Sequence, residues 1–264
     1  MGRRIALLLI VVGVLVAPAS SAVSSELSGE VTAAVPAAAV PLAAAAPLAA
    51  SVGGVEAGAF AGTVTWTTVH NAGVQYAYIK ATEGASTKDT SFGSNYPNAY
   101  YAGLIRGALH VARPNQSSGT AQADFLAGNG GAWSADGQTL PAAVDLEPNP
   151  ISGGYCYGLG TSAMVSWITA FVNEYHARTT RWPVIQTTTS FWKLCTGNST
   201  AFGGRSPLAI IHWDTAAGTL PAGWSVYTFW LSTDCQPTAG MTGCPEASVF
   251  NGAQSRLVAL ANNT

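Results

Sequence analysis

From Val74 onward, short runs rich in β-branched and aromatic residues alternate with stretches of helical periodicity, and this alternation most constrains the fold. Strand-like runs are read at Val74–Ala81, Leu104–Val111, Pro141–Glu147, Pro183–Thr189, Leu208–Trp213 and Tyr227–Leu231, with a weaker one around Gly54–Glu56. Helical segments are expected at Ser91–Ala102, Gly119–Leu126 and Thr161–Thr179. The last of these carries Met164, Val165, Ile168, Phe171 and Val172 at helical spacing. Strands alternating with helices imply a mainly parallel sheet. About eight strand-like runs in about 210 residues, with fewer helices towards the end, predict an α/β fold. The expected form is an irregular TIM-like (β/α) barrel of eight strands. Function in such barrels gathers at the C-terminal ends of the strands.

One strand ends in a way that suggests chemistry. In LPAAVDLEPNP (Leu140–Pro150), two carboxylates, Asp145 and Glu147, stand one residue apart before a proline stop. Residues i and i+2 of a strand point to the same side, about 6–7 Å apart. Two acids offered to one place suit acid chemistry on a glycosidic bond.

The first fifty residues differ from the rest. Met1–Ala22 opens with Arg3 and Arg4, continues with the apolar run Ile5–Ala17 and exits through Ser20-Ser21-Ala22, as a secretory signal peptide does. The apolar run is shorter than the ~20 residues that a membrane span needs. Residues 23–51 are almost all Ala, Val, Pro, Ser and Leu and read as a linker or pro-segment. The barrel domain is therefore expected over 52–264, in a secreted, extracellular protein with no membrane association once the signal is removed. Within 52–264 there are eleven acids and nine Lys/Arg, which leaves no basic field for nucleic acid or anionic lipid. A monomer is the default expectation.

All four cysteines, Cys156, Cys195, Cys235 and Cys244, lie in this part, and an even count behind a signal peptide favours disulfides. Three pairings can be drawn. Cys156–Cys195 with Cys235–Cys244 is favoured, because the second pair encloses a short Pro/Gly/Thr loop. There is no Cys-x-x-Cys and the four histidines are scattered, so no metal site is expected.

Several segments recur in a fixed order: YIKATEG (Tyr78–Gly84), AGLIRGALH (Ala102–His110), SSGTAQADF (Ser117–Phe125), LPAAVDLE (Leu140–Glu147), CYGL (Cys156–Leu159), CTGNSTAF (Cys195–Phe202), TLPAGW (Thr219–Trp224) and YTFW (Tyr227–Trp230). Together they resemble glycoside hydrolase family 25, the Chalaropsis-type lysozymes, over nearly everything from Gly54 to Gly252. The resemblance implies an irregular (β/α) barrel with three closing strands and a muramidase acting on peptidoglycan glycan strands without a cofactor. It also implies that Glu147 is the acid that protonates the leaving sugar oxygen, that Asp145 steers the substrate's N-acetyl group, and that Cys156 pairs with Cys195. Glu56 then matches a catalytic Asp with one methylene more, and the Asp of the closing strand falls at or near Glu246, taken as substrate-binding. His110, Trp213 and Trp230, near predicted strand ends, are further substrate-binding candidates as platforms for sugar rings.

The departures from the family pattern are specific. Leu109 and Gln186 stand where Tyr is usual, Ser190-Phe191 where Asp-Trp is usual, Ala61 and Leu231 where Gln is usual. These changes keep two alternatives open: a wall-binding barrel with impaired turnover, and a glycosidase with shifted specificity, for instance towards chitin-like polymers. Arg106 is read as a structural ion-pair partner.

Overall fold

The computed structural model describes residues 51–264. The expected signal peptide (1–22) and, but for Ser51, the expected 23–51 linker or pro-segment lie outside the described residues.

The strands in chain order are β1 (Val52–Ala57), β2 (Tyr76–Glu83), β3 (Thr87–Lys88), β4 (Ile105–Val111), β5 (Ala143–Leu146), β6 (Val184–Thr187), β7 (Leu208–Ile211), β8 (Phe229–Thr233) and β9 (Glu246–Phe250). The helices are α1 (Trp66–Asn71), α2 (Phe92–Tyr101), α3 (Gly119–Leu126), α4 (Thr161–Thr179), α5 (Thr189–Thr196) and α6 (Gln254–Asn262). Hydrogen bonding runs β1-β9-β8-β7-β6-β5-β4-β2 and closes through β1–β2, so eight strands form a closed barrel with β3 as a short outrigger on β2. Every barrel pairing is parallel except those of β9, which runs antiparallel to both β8 and β1. That antiparallel closure was not anticipated from the sequence.

Side-chain alternation along each strand separates the lumen from the outer layer. Inward-facing Val52, Tyr76, Tyr78, Leu109, Phe229 and Phe250 belong to one buried cluster, which Leu257 and Ala261 of α6 join. Trp133 and Arg181, which precede β5 and β6, bond to Ala261 O and Leu260 O, so α6 closes the N-terminal end of the barrel. Two tyrosines fill the lumen because small residues face them. A Cβ at Gly54 would fall inside the Tyr76 ring, and one at Gly107 inside the Tyr78 ring. Their hydroxyls are satisfied in place, Tyr76 Oη donating to Ser248 Oγ (2.9 Å) and Tyr78 Oη to Pro141 O (3.1 Å).

Outside the sheet, α4 buries Met164, Ile168, Phe171 and Val172 of the expected stripe together with Trp167 and Tyr175, while Val165 is partly buried against them. Burial of each such side chain is worth about 1.5–3 kcal/mol, so this helix anchors the outer layer. Arg106 pairs with Asp136 (3.4 Å) and lies over the Tyr96 and Tyr100 rings, a structural role as expected.

Helices α3 and α4 have the bounds expected of them, and α2 lies within its expected range. The fourth expected strand is cut short: Thr188 caps α5, its Oγ1 accepting from Phe191 N (3.0 Å), so Thr189 begins a helix instead of ending a strand. Helices α1, α5 and α6 were not anticipated; each is at most nine residues long. The eighth barrel strand, β9, follows directly on the Cys235–Cys244 loop. Both favoured disulfides are present, Cys156–Cys195 and Cys235–Cys244. Among the described residues no helix is long and apolar enough to cross a membrane.

Candidate active site

Four carboxyls converge where the parallel strands end. Glu56 lies near the end of β1 and Glu246 at the start of β9, directly opposite each other in the antiparallel register. Asp145 lies on β5 between Val111 of β4 and Gln186 of β6. Glu147 follows β5 directly, before Pro148. The barrel thus assembles acids separated by up to 190 residues because each sits at the same end of a strand.

Burial shapes how these groups hold protons. Burial pushes Glu56 well up, the charge of Glu246 adds to this, and the Gln186 hydrogen bond opposes it. Asp145 is also pushed well up, by burial and then by Glu147, Glu56 and Glu246. Burial raises Glu147 too, against the pull of Arg113, and it lifts Glu246 to about 7, with Glu147 and Asp234 contributing. Carboxyls raised in this way keep a proton closer to neutrality, the condition for a general acid. Asp145 is only 7% exposed, and its Oδ1 is buried without a hydrogen-bond partner. A buried acceptor left open in this way is suited to a donor that arrives with a ligand.

Beside the acids runs a cationic brace that the sequence reading did not identify. Lys80 Nζ bonds Glu83 Oε2 (2.7 Å), Arg113 Nε donates to Glu83 Oε1 (2.8 Å), and Arg113 Nη1 donates to Tyr157 Oη (3.1 Å). Burial pushes Glu83 up, but its bonds to Lys80 and Arg113 outweigh that and hold it below the usual carboxylate range. Glu83 is therefore the ionised anchor of the brace. Its signal in the sequence was its place inside YIKATEG, next to a lysine three residues earlier.

A groove of about 770 Å³ opens against Glu147, with Tyr155, Thr188, Ser190, Lys193 and Trp213 among its walls. Trp213 is 55% exposed there. Two other aromatic candidates lie elsewhere. His110 is a correction: it is fully buried on the outer side of β4, stacked on Phe171 of α4. Its ring nitrogens meet Thr82 Oγ1 (2.8 Å) and Gln122 Oε1 (3.0 Å), and burial pushes it down to about 4. A neutral, fully bonded core histidine has no face to offer a sugar. Trp230 does not line the groove either: it lies between inward-facing Phe229 and Leu231, so its ring points out of the lumen. Its indole N–H donates to His212 O (2.8 Å), bracing the segment that carries Trp213.

Among the described residues, no group of three or more His, Cys, Asp or Glu is arranged to hold a metal ion. The family model described as glycosyl hydrolases family 25 matches residues 56–241. The chain is 50% identical to Lysozyme M1 of Streptomyces globisporus over 211 residues, covering 80% of this chain and 71% of that protein. It is 40% identical to the N,O-diacetylmuramidase of Chalaropsis sp over 202 residues, covering 75% of this chain and 95% of the relative. Among solved structures, the bacterial lysozyme from Streptomyces coelicolor superposes with a TM-score of 0.79 at 49% identity, covering 81% of this chain and 99% of that one.

Proposed function

The chain belongs to glycosyl hydrolase family 25 and is a glycosidase of the lysozyme type, and from that premise we propose that it is a secreted muramidase hydrolysing the β-1,4 bond between N-acetylmuramic acid and N-acetylglucosamine in peptidoglycan. The observation that carries this reading is the pairing of a proton-retaining acid on the groove wall, Glu147, with a buried, unpartnered acceptor beside it, Asp145 Oδ1.

In the proposed mechanism Glu147 gives its proton to the glycosidic oxygen as the bond to the anomeric carbon breaks. Asp145 Oδ1 accepts the N–H of the sugar's acetamido group and turns its carbonyl oxygen onto that carbon, which takes up the bond being lost. Water then attacks the anomeric carbon, returns a proton to Glu147 and releases the acetamido oxygen. This route needs no carboxylate nucleophile at the short spacing of ordinary retaining enzymes. The two acids assist each other. While Glu147 holds its proton it is neutral, which removes the largest charge that keeps Asp145 from ionising. Glu56 adds negative charge beneath the sugar ring as it becomes cationic. Trp213 supplies a sugar platform in the groove.

Glu147→Gln keeps the shape of the side chain and removes the proton donor. The variant should lose at least 100-fold in clearing a suspension of Gram-positive cell walls, the lower end of what general acid catalysis contributes. Undiminished clearing would sink the assignment. Retention of the wild-type protein on insoluble peptidoglycan without release of reducing ends would instead favour a wall-binding barrel. Products from chitin exceeding those from peptidoglycan would favour the shifted specificity.

A further inference from the structure

Gln186 makes a contact that no other strand neighbour explains. In the closed barrel β6 is four strands from β1 in either direction, so Gln186 and Glu56 face each other across its full width. Their side chains nevertheless meet: Gln186 Nε2 donates to Glu56 Oε2 at 3.0 Å and approaches Oε1 at 3.3 Å. Glu56 is 5% exposed and Gln186 is 2% exposed, so the bond crosses the lumen away from water. The extra methylene of Glu56 gives it the reach. An amide N–H within reach of both oxygens favours the ionised form of Glu56 and opposes the rise that burial imposes on it.

Glu56 has a second neighbour of its own kind. Glu246 lies directly opposite it in the β1–β9 register, where Cβ atoms are about 4.5–5.5 Å apart. Two carboxyls carried on paired strand positions in a buried site do not both ionise readily, and the charge of Glu246 raises Glu56. The other groups bearing on Glu56 are Lys80, Asp145, Glu147 and the hydroxyls of Tyr76 and Tyr78. Lys80 is already committed to Glu83, and the remaining acids repel. Glu246 faces Glu147 and Asp234, with no cation among the groups acting on it.

We propose that Glu56 and Glu246 hold one proton between them and that Gln186, as a positioning residue, assigns it to Glu246 and keeps Glu56 as the fixed anion under the substrate. The inference rests on the reading of this strand-end cluster as the active site. Gln186, which replaces a residue usual in the family, is then a working partner of the longer Glu56.

The test is a side-chain carboxyl ¹³C NMR titration of the full chain, with the two signals assigned by Glu56→Gln and Glu246→Gln. In the wild type Glu246 should take up its proton first on acidification, while Glu56 keeps a carboxylate shift. In Gln186→Met the order should reverse, with the Glu56 midpoint rising by at least one pH unit, a tenfold change in proton affinity. The acid limb of wall clearing should move up with it. A wild-type Glu56 that protonates before Glu246 overturns the proposal, as do unmoved midpoints in Gln186→Met. The wild-type arm needs no change at position 186 and no turnover. Failure of the muramidase reading would appear as absent wall clearing with the titration order intact.

Discussion

At the scale of single residues, the lumen is set by which side chains are missing as much as by which are present. Tyr78 occupies the space that a Cβ on Gly107 would need, whereas a Cβ on Gly53 would meet nothing within 4 Å. Gly107→Ala must therefore displace a buried ring whose hydroxyl is bonded to Pro141 O. It should cost about 1–3 kcal/mol, the usual range for overpacking. Gly53→Ala, on an exposed strand position, should stay within about 0.5 kcal/mol. Chemical denaturation of the two variants makes the comparison. Equal effects in the two variants would show that the Tyr78 ring gives way without cost. His110 shows the same dependence on surroundings: an imidazole near a strand end is a core hydrogen-bonding group here because α3 supplies Gln122 against it.

At the scale of elements, the two disulfides do different work. Cys156–Cys195 joins the segment carrying Tyr155 and Tyr157 to α5, which carries Ser190 and Lys193, so it ties together two stretches that line the groove. It closes a loop with a sequence separation of 39, against 9 for Cys235–Cys244. Loop-closure entropy gives about 4 kcal/mol for the first and roughly 1 kcal/mol less for the second. A Cys156→Ser/Cys195→Ser double variant should therefore lose more stability than Cys235→Ser/Cys244→Ser. It should also weaken substrate binding, seen as a higher KM, because the groove walls are no longer linked. The reverse order in thermal denaturation would show that the smaller loop, which leads into β9, governs closure of the barrel.

At the scale of the whole molecule, gathering acids at one end makes stability depend on pH. Glu246 titrates near 4.5 when unfolded and is lifted to about 7 when folded, and Glu56, Asp145 and Glu147 shift in the same direction. In that window the folded chain binds more protons than the unfolded chain, so this contribution favours folding at acid pH. It is lost as the pH rises through the folded value. Glu246→Gln removes one such group. The variant should gain on the order of 2 kcal/mol relative to wild type at pH 8 and nothing at pH 4. Thermal unfolding at the two pH values checks this, and a gain that is the same at both would reject the linkage.

Local rules acting within a few residues were readable from the chain alone: most of the stripe of α4, the strand ending at Asp145 and Glu147, the strand-like run that becomes β2, and the even set of cysteines. The ordered motifs also made the family and the barrel legible, because they record many strand ends at once. What the sequence could not supply was which side chains meet across the lumen. Gln186 reads as a lost tyrosine until the closed barrel brings it to Glu56, 130 residues away. His110 and Trp230 read as strand-end aromatics until strand alternation turns both out of the lumen, one into the core and one against the His212 carbonyl. Periodicity specifies how a segment folds, but burial, proton affinity and hydrogen-bond partners are properties of the space that several segments enclose, and only tertiary closure creates that space.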